Sequence, residues 1–112
     1  MKSKIKYSKK AVNDLLEIKK YILLEFDSLE YAKNIINKII RKLGKLELFP
    51  YIGPLLSTKL SVITSYRYLV CDSYIVFYKV DNDQILIIRI LHSRTDYAQV
   101  IFGEEQKNKA TN

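Results

Sequence analysis

This sequence is poor in the residues that build the best-known chemical sites. It has one cysteine, Cys71, and one histidine, His92. A lone cysteine forms no internal disulfide, which fits a reducing cytoplasm. One Cys and one His cannot complete a Cys-rich zinc centre, so neither a metal nor another cofactor is expected. Only three glycines are present, and none falls in a phosphate loop or a glycine-rich dinucleotide fingerprint. No nucleophile-elbow pattern accompanies the serines, and no helix-turn-helix setting surrounds the basic residues. Long apolar runs are missing as well: none approaches the roughly 20 residues that span a bilayer. The N-terminal stretch MKSKIKYSKK lacks the apolar centre of a signal peptide. A cytoplasmic protein without membrane association is the expectation.

What is present is apolar and basic. Hydrophobic residues fill 48% of the 112 positions, which argues for a packed core over disorder, and the length suits one domain. Residues 1–103 are expected to form it. Residues 104–112, apolar only at Ala110, are expected to be a flexible tail. Nineteen Lys and Arg against twelve Asp and Glu leave a net charge of +7, which favours a polyanionic or acidic partner.

The chain is organised around Tyr66–Tyr97. Three runs rich in β-branched and aromatic residues, Tyr66–Cys71, Tyr74–Val80 and Ile85–His92, are split by short polar turns. That pattern predicts an antiparallel β-meander. A two-residue turn at Asp72-Ser73 pairs Cys71 with Tyr74, Leu69 with Val76 and Arg67 with Tyr78. The second turn pairs Val80 with Ile85, Tyr78 with Ile87 and Val76 with Arg89. Alternation then puts Arg67, Leu69, Tyr74, Val76, Tyr78, Ile87 and Arg89 on one face. Tyr68, Val70, Ile75, Phe77, Ile88 and Ile90 share the other, which reads as the core face.

Upstream, Lys4-Ile5-Lys6-Tyr7 alternates and is expected to add a strand. Ser8 suits a helix N-cap, and Val12, Leu15, Leu16, Ile18, Ile22, Leu23 and Phe26 follow at helical spacing. Asp27, three residues before Glu30, resembles a capping box. It would open a second helix with the stripe Ala32, Ile35, Ile36, Ile39, Ile40, Leu43 and Leu46. The two helices are expected to form a hairpin that covers one sheet face. Phe49-Pro50-Tyr51-Ile52-Gly53-Pro54 ends the helical pattern, and one short helical turn is expected over Ala98–Phe102.

The remaining chemical signal is a set of basic and aromatic residues on the meander. RNA backbone cleavage can proceed without metal when one group activates the 2′-hydroxyl, a cation steadies the phosphorane and an acid protonates the leaving oxygen. Arginine suits the phosphate role, and tyrosine can stack on an unpaired base. Arg67, Tyr78 and Arg89 are expected on one face, with His92, Arg94 and Tyr97 at or just beyond the end of the last strand. Each also has a structural reading. Arg67 could be a solvated strand residue or an anchor for an acidic partner, and Arg89 a cross-strand surface arginine. His92 could be a hydrogen-bonded core histidine, Arg94 could pair with Asp96, and Tyr97 could cap the core.

The order strand, two helices, PYIGP loop and meander resembles the RelE/ParE toxin superfamily over roughly residues 4–102. The most specific pieces are YIVFYKV at 74–80 and IRILHSRTDY at 88–97. The resemblance implies an α+β fold, a two-helix hairpin packed on a four-stranded, largely antiparallel sheet in the order β-α-α-β-β-β. It implies a toxin of a type II toxin–antitoxin module, with a cognate antitoxin protein as partner. RelE-like members cleave mRNA on the ribosome without a metal, and ParE-like members poison DNA gyrase. The arginine that many RelE-like nucleases carry at the start of the middle strand falls on Ile75, an apolar residue, and the ILHSRTD segment resembles ParE-like chains. With ribosome-dependent cleavage as the leading expectation, Arg67 and Arg94 would hold the phosphate, His92 would serve as acid or base, and Tyr97 would orient the base. Lys59, Tyr78 and Arg89 would add substrate contacts. Gyrase inhibition and a basic binding module without toxicity are the alternatives.

Overall fold

The structure is a computed structural model. It describes the backbone of residues 3–61 and 63–110, with side chains through Gly103. The elements are β1 (Lys4–Tyr7), α1 (Lys9–Phe26), α2 (Leu29–Gly44), β2 (Arg67–Cys71), β3 (Tyr74–Asp81), β4 (Gln84–His92) and α3 (Tyr97–Ala110). The strands form one sheet in the order β1-β4-β3-β2. β1 runs parallel to β4, and the β2–β3 and β3–β4 pairs are antiparallel. This is the α+β architecture expected. Among the described residues no helix is long and apolar enough to cross a membrane.

Local chemistry explains most boundaries. The Ser8 hydroxyl accepts from the Ala11 N–H at 3.0 Å and so caps α1. The second cap falls one residue later than expected. Asp27 takes a left-handed conformation, φ 48°, as the C-cap of α1, and Ser28 caps α2 by accepting from the Tyr31 N–H. Asp tolerates the left-handed region better than most residues, so it turns the chain and leaves capping to its neighbour. Gly44 ends α2, but a single 3-10 turn over Lys45–Glu47 carries the stripe on and keeps Leu46 fully buried. Both hairpin loops have two residues, Asp72-Ser73 and Asn82-Asp83, each with a positive φ at its first position. α3 is longer than the single turn expected. It runs to Ala110 and so overlaps the segment expected as a tail, whose side chains lie outside the described residues.

The β2–β3 register is the one the turn dictates: Arg67 faces Tyr78, Leu69 faces Val76 and Cys71 faces Tyr74. The β3–β4 register holds from Asp81 to Tyr78 and then slips by one. A bulge lets β4 present Ile87 to Tyr78 but Arg89 to Phe77, and Val76 pairs with Ile90, not Arg89. One extra residue reverses the facing of everything beyond it. Arg89 therefore joins the Phe77 face, while Ile90 and His92 join the face of Val76 and Tyr74.

The core corrects the expected choice of face. The helices bury Ala11, Ile39, Leu43 and Leu46 against Cys71, Tyr74, Val76, Tyr78, Ile85, Ile87 and Ile90. The opposite face, with Ile75 and Phe77, is covered by Leu56, Leu60 and the start of α3 through Tyr97, Ile101 and Phe102. β3 is buried on both faces from Tyr74 to Tyr78. Alternation separates the two faces but does not say which one receives the helices.

Candidate functional site

Two of the residues expected to meet a substrate instead lock a loop. Tyr78 is fully buried. Its hydroxyl donates to the Pro50 carbonyl and accepts from the Gly53 N–H, both at 2.9 Å. Burial raises the phenol's pKa, against the smaller opposing pull of the Gly53 N–H and Arg67. Arg67 donates to the Gly53 carbonyl at 2.8 Å and lies 5.0 Å from the centre of the Tyr51 ring. A methyl group on Gly53 would run into the Tyr68 carbonyl and stand 2.6 Å from the Tyr78 hydroxyl. The PYIGP segment is thus fitted onto the sheet end by a buried phenol, an arginine and a glycine that admits no side chain. Tyr78 is no surface contact, and Arg67, half-buried, is tied to the loop by its bond to Gly53.

Arg89 belongs to the scaffold as well. Past Tyr7, β1 leaves the edge of β4 open, and the start of α1 closes it. The Ser8 hydroxyl donates to the Ile88 carbonyl, and the Asp14 carboxylate accepts from the Ile90 N–H at 2.9 Å. Arg89 then donates twice to Asp14, from Nε at 2.8 Å and Nη2 at 2.9 Å. Those hydrogen bonds raise the guanidinium's pKa further, with burial opposing. A forked, largely buried pair of this kind is held far more firmly than an exposed one. Its sequence signal was Asp14 itself, a carboxylate beside Leu15 and between Ala11 and Ile18 on the core flank of α1.

His92 and Arg94 do come together. His92 is exposed at the end of β4 and stands edge-on to Tyr74, ring centres 5.5 Å apart. Its Nδ1 accepts from the Arg94 N–H at 3.1 Å. In the neutral ring this leaves the proton on Nε2, free to donate outward. A cleft of about 520 Å³ lies here, lined by Glu17, Ile18, Tyr21, Tyr74, His92 and Arg94. A second, of about 380 Å³, shares Tyr21, Tyr74 and His92 and extends past Phe26 and Tyr31 to Asp72. Burial raises the Tyr74 pKa, keeping that phenol neutral. Asp96 does not pair with Arg94; it accepts from the Gln99 N–H at the start of α3. Glu17 and Tyr21 carry no sequence signal for this site, since neither belongs to an apolar stripe nor to the meander.

Tyr97 and Lys59 lie on the other face. Tyr97 packs 5.2 Å from Phe77, and the Lys59 ammonium sits 5.3 Å from the Tyr68 ring centre and 5.7 Å from that of Tyr97. This is a small cationic and aromatic patch, well suited to stacking. The seven residues expected at one site thus occupy separate places. Arg67 with Tyr78, Arg89 with Asp14, His92 with Arg94, and Lys59 with Tyr97 form four groups. Among the described residues, no three His, Cys, Asp or Glu side chains are grouped to hold a metal.

Comparison with known proteins agrees with this fold. The family model described as the ParE toxin of the type II toxin–antitoxin system parDE matches residues 5–97. Among solved structures, the chromosomal ParDE toxin–antitoxin system from P. aeruginosa is similar, with a TM-score of 0.69 and 21% identity over 80% of this chain and 95% of that one. The RelBE2 toxin–antitoxin complex from Mycobacterium tuberculosis is also similar, with a TM-score of 0.54 and 19% identity over 82% and 99%. No curated protein matches the sequence. With the family model spanning the sheet, the hairpin and the ILHSRTDY segment, the chain belongs to the ParE toxin family of type II toxin–antitoxin systems.

Proposed function

We propose that this toxin arrests growth by engaging and inhibiting DNA gyrase, not by cutting RNA. One observation carries the reading: the groups a metal-free nuclease needs in one place are apart. Arg67 and Arg89 are occupied by Gly53 and Asp14, Tyr78 is buried, and Tyr97 faces away from His92. Catalysis by scattered side chains requires the phosphate, its activating base and its acid within hydrogen-bond reach of one another. A protein-binding inhibitor needs only surface, and the match to the ParE family model supports that class.

The expected partner is a cognate antitoxin. The helical hairpin offers it apolar surface: Val12, Leu16 and Leu23 recur at helical spacing on α1 and stay 46%, 59% and 38% exposed. A helix laid along that stripe is the docking mode such a surface suits. The net charge of +7 favours an acidic chain and speeds its capture.

Brief induction of the toxin separates the mechanisms. DNA synthesis should fall before protein synthesis, DNA-damage signalling should rise, and mRNA ends should be unchanged. Purified toxin should block gyrase supercoiling, with His92→Ala still active. Ribosome-dependent cleavage is the second reading, supported by His92 and Arg94 sharing one cleft. New cuts within translated frames, abolished by His92→Ala, would establish it and overturn the first.

A further inference from the structure

We infer that the aromatic groove at the sheet end, between Tyr21 and Arg94, is a second docking site for the antitoxin, taking an apolar or aromatic side chain followed by a carboxylate. The inference rests on the partner reading above and adds where, and by what chemistry, a further segment of that partner is held.

The two clefts join through Tyr21, Tyr74 and His92 into one groove. Tyr74 and His92 form its floor as an edge-to-face pair. Tyr21 stands over it from α1 with 58% of its surface exposed, and Phe26 and Tyr31 extend it as a second edge-to-face pair, ring centres 5.1 Å apart. Four rings and an imidazole around an open groove, several of them largely exposed, are what a docking surface uses to receive side chains.

The charges narrow the occupant. Arg94 is exposed and has no carboxylate within 4 Å among the described residues. At the far end the lining carboxylate, Asp72, is paired with Lys38 at 2.8 Å, and Glu17 lines the near end. With Asp72 neutralised by Lys38, the described lining residues leave one carboxylate, Glu17, and one arginine, Arg94, where polyanion binding draws on several unopposed cations. A protein segment with apolar side chains and a single carboxylate matches the arrangement. Its rings or branched chains fill the groove, and its carboxylate receives the forked donors of Arg94. The net charge of +7 favours an acidic segment, and in the antitoxin reading above that segment supplies the carboxylate.

The test uses full-length toxin and its cognate antitoxin, with affinity measured by titration. Tyr21→Ala and Arg94→Glu should each weaken binding at least tenfold. A Glu or Asp to Arg exchange in the antitoxin segment should restore the Arg94→Glu variant. Lys45→Glu, an exposed change beyond the far end of α2, should stay within twofold, and circular dichroism of each variant should match the parent. In the intact complex, amides of residues 21–31 and 72–75 should exchange more slowly than in toxin alone. Unchanged affinity for both groove variants, with those amides no slower, would overturn the groove while leaving the partner reading intact. Failure of the parent toxin to bind its antitoxin would overturn the partner reading, and the groove with it. Loss of gyrase inhibition or of single-stranded RNA binding, with antitoxin affinity unchanged, would assign the groove to a different ligand and overturn this one.

Discussion

Arg89 and Arg94 stand five positions apart, yet their surroundings differ in kind. Arg89 is held by both oxygens of Asp14 on the closed edge of β4. Arg94 lies past the strand end with its guanidinium exposed beside an open cleft. The same contrast separates Tyr78, sealed under the PYIGP segment, from Tyr21, which stands in solvent. An arginine or tyrosine on this fold is a scaffold part where a backbone edge or loop needs its hydrogen bonds. Arg94 and Tyr21, both exposed, remain available to a ligand.

That comparison predicts a steep gradient of mutational cost. The largest effect is expected from Asp14→Ala, which orphans Arg89 and the Ile90 N–H. It should lower unfolding free energy by about 3 kcal/mol in urea titration. Adding Arg89→Met should recover part of the loss, and a double mutant no better than the single would dissolve the proposed pairing. Next comes Gly53→Ala. The added methyl collides with the Tyr68 carbonyl and the Tyr78 hydroxyl, so a loss of about 2 kcal/mol is expected, read as a lower melting temperature.

Tyr78→Phe should cost about 1 kcal/mol, since the Gly53 N–H loses its acceptor. The phenol also carries a pH signature. Its pKa is raised by burial above the ordinary 10.0, so the folded state binds the proton more tightly than the unfolded chain. The stability tied to that proton is full below pH 10 and is lost as pH climbs through the raised value. Tyr7 and Tyr74 are raised by burial in the same sense. Urea midpoints should therefore fall in alkali, less steeply for Tyr78→Phe than for the parent; an equal slope would remove Tyr78 from the account. The smallest stability effect belongs to Arg94→Ala, expected within about 0.5 kcal/mol by the same urea titration. A cost comparable to Asp14→Ala would erase the distinction between the two arginines.

Most of the fold could be read in advance because it rests on short-range signals. Asp72-Ser73 specified the β2–β3 register residue by residue, and Ser8 marked the start of α1. The sequence suits Asp27 to capping α2, whereas it serves as the turn before it, since Asp suits either position and the backbone conformation decides. The site was much less legible. His92 and Arg94 were found together, being two residues apart on one chain segment. The hydrogen bonds of Arg67, Tyr78 and Arg89 are not legible in the sequence because their partners, Gly53, Pro50 and Asp14, lie 14, 28 and 75 positions away.

By itself, then, the sequence determined the element order, both hairpin turns, the amphipathic helices and the basic surplus. Those follow from periodicity, turn chemistry and composition, all local properties. Only the tertiary structure decided which sheet face the helices cover, because β3 is apolar on both sides and alternation is silent between them. It alone placed the bulge after Ile87 that moved Arg89 to the other face and set it against Asp14. The engagement of Arg89 followed from that: a polar side chain on a sheet edge goes to whatever backbone or carboxylate the fold leaves unpaired beside it.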